Sequence, residues 1–252
     1  MSITQQLLLN PQAKIIGFTG GKGRNYLVNE FAEEFGRSGK KVVIGQLGKD
    51  LLPTSGQIVY SENDEELLQK IEKELEKTPV VYAGRGVKDH FVSGITAQIA
   101  SKIINLGKVD YLLLVVGSPE KVSVFSHKHI ARLAKMDFLD QLIYCFQIDY
   151  IDRELDREVA ENPEEFLKSF PDFASSRVFD QRLIVRYLID AEQGALSLFT
   201  QQWPGILVFT DVNNPLLENR SINLARDLFL HKIENIYFAN LRNNLIKKVS
   251  VR

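Results

Sequence analysis

Apolar and polar positions along the chain switch repeatedly between a strand-like run and a helical period, and that alternation predicts an α/β protein. Lys14 to Thr19 (KIIGFT) is an apolar run of strand length, broken by Gly20, Gly21 and Gly23. Asn25 to Gly36 then has helical spacing, with Tyr26, Leu27, Phe31 and Phe35 apolar and Glu30, Glu33 and Glu34 polar. Ser38-Gly39 closes that helix, and Lys41 to Gly45 (KVVIG) makes a second strand. A charged helix follows from about Glu62 to Lys77, its apolar side carried by Leu67, Leu68, Ile71 and Leu75. Val80 to Ala83 is a third strand and Thr96 to Leu106 an amphipathic helix. Val109 to Val116 is almost continuously apolar, as a parallel strand covered on both faces should be, and Asp140 to Ile148 offers another.

The pattern changes after Asp149. From Ile151 to Thr200 it is charged and then helical, with a PDF break (Pro171 to Phe173) and no convincing strand. Trp203-Pro204-Gly205 ends this stretch; Ile206 to Thr210 (ILVFT) restores a strand, Ser221 to Leu230 a helix and Ile236 to Ala239 a last strand. The expected organisation is therefore an α/β core over 1–150, a helical insertion or subdomain over 151–203, and the rest of the core over 204–252. Strands alternating with helices imply a mostly parallel sheet with right-handed crossovers and helices on both faces.

Composition narrows the picture only a little. A chain of 252 residues buries roughly 70–75% of its unfolded surface, so its core needs no disulfide or structural metal. The 31 basic and 32 acidic residues nearly cancel, which argues against an extended nucleic-acid surface. The single cysteine, Cys145, lies in the apolar run LIYCF and reads as a small buried hydrophobe. The first ten residues have no basic region ahead of their Leu run. The most apolar internal stretch, Tyr111 to Val116, is far below the ~20 residues that span a bilayer. A cytoplasmic protein with no membrane partner is the expectation.

The candidate chemistry sits in the turn GFTGGKGRN, Gly17 to Asn25. Glycines between a strand and a helix let backbone N–H groups converge on an anion at the positive end of the helix dipole. Gly20, Gly21 and Gly23 supply the freedom, Lys22 and Arg24 bring two cations, and Asn25 is placed to cap the helix. The nucleotide fingerprint G-x-x-x-x-G-K-[ST] is not matched, because Arg24 and Asn25 follow the last glycine. The turn could equally be a tight βα connection that needed glycines and nothing else. Magnesium-dependent hydrolysis would also need an acid at the end of a neighbouring strand. The strand YLLLVVGSPE ends in Val115, Val116, Gly117 and Ser118, with Glu120 the nearest acid. His127 and His129 form an H-x-H pair without a visible third ligand, so no metal site is expected. The acidic run IDRELDREVAENPEE reads as an exposed helix and turn, its charges interleaved.

With these residues placed, the chain resembles a divergent member of the YqeC family, accessory proteins of selenium-dependent molybdenum hydroxylases. That family has a strand ending in a pattern like FVGAGGKTTL, and FTGGKGRNYL (Phe18 to Leu27) lies on it without a gap. Gly20 and Gly23 match, Arg24 takes the Lys position and Asn25 the Thr position. The family's TTTTK-then-Pro segment corresponds to GQLGK (Gly45 to Lys49) with Pro53, where Lys49 and Pro53 match and the threonines are gone. The family's D-Y-V-L-V-E-A-D-G strand falls on Asp110 to Ser118, where Val115 and Gly117 occupy its two acidic positions. LVFTDVN (Leu207 to Asn213) sits on an N-K-x-D-like segment, with Thr210 for the Asn and Asn213 for the Asp. Gly94 and the AEQGAL segment (Ala191 to Leu196) are further points of similarity.

The resemblance implies a P-loop NTPase-like fold, and a molybdenum hydroxylase or cofactor-maturation protein as partner. The departures argue against a magnesium-dependent site. The expected function is an accessory protein that binds a nucleoside triphosphate or a nucleotide-bearing cofactor through Gly20, Gly21, Lys22, Gly23, Arg24 and Asn25. Lys49 would be a secondary anion contact. Two alternatives stand beside it. One is an NTP-dependent kinase or nucleotidyl transferase using Asp50, Asp110 or Glu120, and the other is an interaction protein that has lost its ligand.

Overall fold

All six residues of β1 (Ile15–Gly20) are buried, as a strand in the middle of a sheet covered on both faces must be. A computed structural model describes residues 14–51, 56–88, 91–117, 124–125, 130, 133, 135–175, 177–190, 194–195, 205–243 and 245–249. After β1 come α1 (Arg24–Arg37), β2 (Val42–Leu47), β3 (Lys49–Leu51), β4 (Gln57–Tyr60), α2 (Asp64–Leu75) and β5 (Val80–Gly84). β6 (Gly86–Lys88), β7 (Phe91–Ser93), α3 (Ala97–Asn105), β8 (Tyr111–Val116) and β9 (Gln141–Gln147) follow. α4 (Pro163–Ser169), α5 (Gln181–Ile189), β10 (Gly205–Thr210), α6 (Pro215–Leu230), β11 (Ile236–Asn240) and β12 (Leu245–Lys248) complete the chain.

Nine strands form one sheet in the order β12-β11-β10-β9-β1-β8-β2-β5-β4. Every pairing in it is parallel except the terminal β11–β12 pair. The α/β architecture with a mostly parallel sheet and helices on both faces therefore stands as expected. β2 does not pair with β1, because β8 lies between them, with Leu112 to Val115 of β8 beside Ile15 to Phe18 of β1. On the other side of β1 runs β9, with Gly20 opposite Cys145.

The period of two divides each strand between two cores. Leu113 and Val115 of β8, with Ile16 and Phe18 of β1, face Leu27, Val28, Phe31, Ala32 and Phe35 of α1. Leu112, Leu114 and Val116 point the other way, into the core that holds α2, α3, α5 and α6. A helix of α1's length is marginal alone, so its stability comes from that buried stripe, roughly 1.5–3 kcal/mol for each large side chain. The chain leaves β1 through α1 on one face. It leaves β9 into residues 151–190 on the opposite face, as right-handed crossovers require when successive strands are added in opposite directions.

The buried side chains of residues 151–190 join the same core as the sheet. Tyr187 of α5 stands hydroxyl to hydroxyl with Tyr144 of β9 at 2.9 Å, and the Tyr187 oxygen accepts the Phe125 N–H at 3.1 Å. Phe166 packs edge-on to Tyr187 and Phe179, and Phe179 lies against Phe146 of β9. Tyr187→Phe removes one partner from two buried hydrogen bonds while keeping the ring. It is expected to destabilise the protein by about 1–3 kcal/mol, read as a lowered urea midpoint; an unchanged midpoint would mean the network contributes nothing.

Several expectations need correction. The acidic run after Tyr150 is helical only at its end, where Pro163, Glu164 and Glu165 open α4: Asp152, Glu154, Asp156, Arg157 and Glu158 are exposed in irregular backbone pinned by buried Leu155 and Val159. α6 begins at Pro215, not near Ser221, because Asn214 caps it by accepting the Leu217 N–H and Pro215 fits its first turn. Leu216 in that turn is exposed, so no apolar period announces it. β4, β12 and the separate sheet β3-β7-β6 were not foreseen; strands of three or four residues are too short to display a period. Among the described residues no helix is long and apolar enough to cross a membrane.

Candidate anion site at the glycine turn

β1 runs through Gly20, and α1 starts at Arg24, leaving a three-residue turn of Gly21, Lys22 and Gly23. Gly20 has φ of +98°, and a Cβ there would stand 2.0 Å from the Cys145 carbonyl oxygen of β9. That closeness lets the Gly21 N–H donate to the same carbonyl at 2.9 Å. Gly23, also at φ +98°, occupies the N-cap position, where a Cβ would meet Leu241 at 2.6 Å and Thr210 at 3.1 Å. Both glycines are thus required by left-handed backbone and by close approach of neighbouring elements. The Thr210 hydroxyl at the end of β10 donates to the Lys22 carbonyl at 2.9 Å, fastening the turn from the other side.

The cations divide. Lys22 projects outward, its side chain 62% exposed, and its Nζ lies 3.8 Å from Asp211 Oδ2. Arg24 is buried, and its Nε donates to Asn25 Oδ1 at 3.2 Å. Asn25 is therefore a partner of Arg24 inside the helix and not the N-cap that its sequence position suggested. Burial pushes the Cys145 thiol up to about 12, with the Arg24 charge opposing in part, so Cys145 is a neutral core residue at physiological pH. Lys49 lies on β3 opposite Ser93, beyond the end of β2. With β8 intervening, β2 stands two strand spacings from β1, roughly 10 Å.

Of the acids that the sequence offers, Asp110 lies away from the turn. The Asp110 carboxylate accepts the Lys41 N–H at 2.8 Å and pairs with Lys40, at the opposite, amino-terminal edge of the sheet. Asp50 lies on β3, while Glu120, His127 and His129 are outside the described residues. Two other acids do stand at the carboxyl edge beside the turn: Asp149, two residues past β9, and Asp211, one past β10. Burial raises the Asp211 carboxyl above the usual range, Lys22 draws it down, Asp149 raises it and Arg242 draws it down. Asp211 also has φ of +60°, a left-handed conformation that Asp tolerates better than most residues. The usable signal was an Asp just past an apolar run, present in both CFQID and VFTD.

A second pattern marks this edge. Thr19 Oγ1 on β1, Asp149 Oδ1 after β9, Asp211 Oδ2 after β10 and Asn240 Oδ1 on β11 are buried oxygens without a hydrogen-bond partner among the described residues. β11, β10, β9 and β1 are consecutive in the sheet, so all four oxygens lie at the carboxyl ends of neighbouring strands. Native proteins satisfy most such groups, and clusters of exceptions call for water, an ion or a ligand. Among the described residues no three or more His, Cys, Asp or Glu side chains come together as a metal site. No protein-family model matches the chain, and no curated protein sequence matches it.

Proposed function

We propose that this protein is a P-loop-like nucleotide-binding protein that holds a nucleoside triphosphate, or a nucleotide-bearing cofactor, by its phosphates at the glycine turn. The observation that carries the reading is the position of that turn. It joins a central parallel strand to a helix amino end, between β1 and β9, whose onward connections leave on opposite faces of the sheet. Ligands of open α/β sheets bind in the crevice at such a point, at the carboxyl ends of the strands. Lys22 and the amino end of α1 favour an anion there, and the buried oxygens at the neighbouring strand ends offer further polar contacts. The resemblance to the YqeC family extends the proposal to an accessory role, with a molybdenum hydroxylase or a cofactor-maturation protein as partner.

A second reading, an NTP-dependent kinase or nucleotidyl transferase, is favoured by Asp149 and Asp211 beside the turn. Carboxylates at strand ends next to bound phosphates are where such enzymes hold magnesium. Calorimetric titration with ATP, GTP and CTP, with and without magnesium, separates the two. Magnesium-independent binding that weakens roughly tenfold or more in Lys22→Ala, as loss of a charge-assisted hydrogen bond predicts, is the expected result. Binding that requires magnesium would move the conclusion to the enzyme. Arg24→Ala is measured beside it, with a thermal melt, because Arg24 is buried. No binding of any of the three nucleotides to the wild type would end both readings.

A further inference from the structure

Building on the phosphate reading of the glycine turn, we infer that Asp211 is a positioning residue for Lys22, holding it in the empty protein and releasing it to an incoming phosphate. Three geometric facts carry this. The Lys22 carbonyl is tied down by the Thr210 hydroxyl at 2.9 Å, so the residue's backbone is fixed while its side chain reaches out to solvent. The only ion pair that side chain makes among the described residues is with Asp211, at 3.8 Å, longer than a hydrogen bond and therefore readily exchanged. Asp211 itself is held one residue past β10 in left-handed backbone, and its Oδ2 is buried without a hydrogen bond. A carboxylate fixed in this way is a weak partner that nevertheless sets where the lysine waits.

Releasing Lys22 has a consequence for protons. The charged groups acting on Asp211 are Lys22 and Arg242, which stabilise its anion, and Asp149, which opposes it, while burial already disfavours the charge. When a phosphate draws Lys22 away and adds its own negative charge nearby, the Asp211 carboxyl is raised further. The bound protein then keeps this carboxyl protonated to a higher pH than the free protein does, and by linkage its affinity rises as pH falls. The direction follows from the sign: the bound state holds more protons than the free state, so acid favours it.

The test titrates ATP, GTP and CTP into wild type, Asp211→Asn and Lys22→Gln across mildly alkaline to mildly acidic buffers of different ionisation heats. Asn keeps the side-chain shape and accepts left-handed backbone, so Asp211→Asn should remain folded, and the exposed Lys22 makes Lys22→Gln a second folded variant. Asp211→Asn is expected to bind about fivefold more tightly at neutral pH, near the upper end for a partly exposed ion pair, and to take up fewer protons than wild type. The nucleotide's own titration is common to both proteins and cancels in that comparison. Lys22→Gln should bind weakly and lose the difference in pH slope. Wild-type binding with the same affinity and proton uptake in Asp211→Asn overturns the role of Asp211 and leaves the nucleotide reading intact. Absence of wild-type binding overturns the nucleotide reading and this inference with it.

Discussion

Gly20→Ala is expected to destabilise the protein by about 3 kcal/mol or more and to abolish the proposed anion binding at the turn in whatever remains folded. The added Cβ would stand 2.0 Å from the Cys145 carbonyl oxygen and 2.8 Å from its carbon, and backbone cannot move aside as a flexible side chain can. The φ of +98° adds strain of its own. Relief would require β1 to part from β9, which also breaks the Gly21 N–H bond to Cys145 and shifts the turn. Gly39→Ala is the control. Gly39 also has positive φ, +82°, but nothing lies within 4 Å of its added Cβ, so only backbone strain of about 1–2 kcal/mol remains. Urea denaturation measures both. Equal losses in the two variants would mean that the contact with Cys145 is not what makes Gly20 necessary.

Phe31→Ala should cost about 3–5 kcal/mol, as truncation of a fully buried aromatic does, and should weaken the proposed nucleotide binding as well. Phe31 is fully buried, edge-on to Phe18 of β1 at 5.3 Å and to Phe35 at 6.1 Å, and Phe35 stacks on Tyr111 of β8 at 4.0 Å. This aromatic stack clamps α1 to the strands beneath it. Among the described residues α1 is the only helix in its core cluster. Loosening it therefore acts on the helix whose amino end forms the turn. Leu224→Ala on α6 should lose about 2–5 kcal/mol on the opposite face, with little change in affinity. Comparable affinity losses in both would mean that binding follows global stability and not the seating of α1.

Much of the fold could be read from periodicity. β8 was legible because six consecutive residues, YLLLVV, are apolar for both faces, and α1 because Leu27, Phe31 and Phe35 recur on one side. The glycine turn was legible from composition, since only glycine adopts the backbone that Gly20 and Gly23 require. The acidic partners were not. In the sequence β8 is the best candidate to border β1, which puts Asp50, Asp110 and Glu120 forward as the nearest acids. β9 borders it too, and β10 comes next, so Asp149 and Asp211 stand at the carboxyl edge beside the turn. The Asp just past an apolar run in QID and FTD marks a strand end, but not which strand ends lie beside the turn.

The amino-acid sequence by itself determined the longer strands and helices of the main sheet, the two-faced burial of its central strands and the glycine turn after β1. Each depends on interactions between near neighbours: side-chain period, backbone freedom and capping. Only the tertiary structure decided the strand order, and with it which charges meet. Lys22 and Asp211 are far apart in sequence, yet lie 3.8 Å apart because β9 and β10 are laid beside β1 in a parallel sheet. Strand order is set by long-range pairing and by the handedness of the crossovers, and neither leaves a mark in the residues that it brings together.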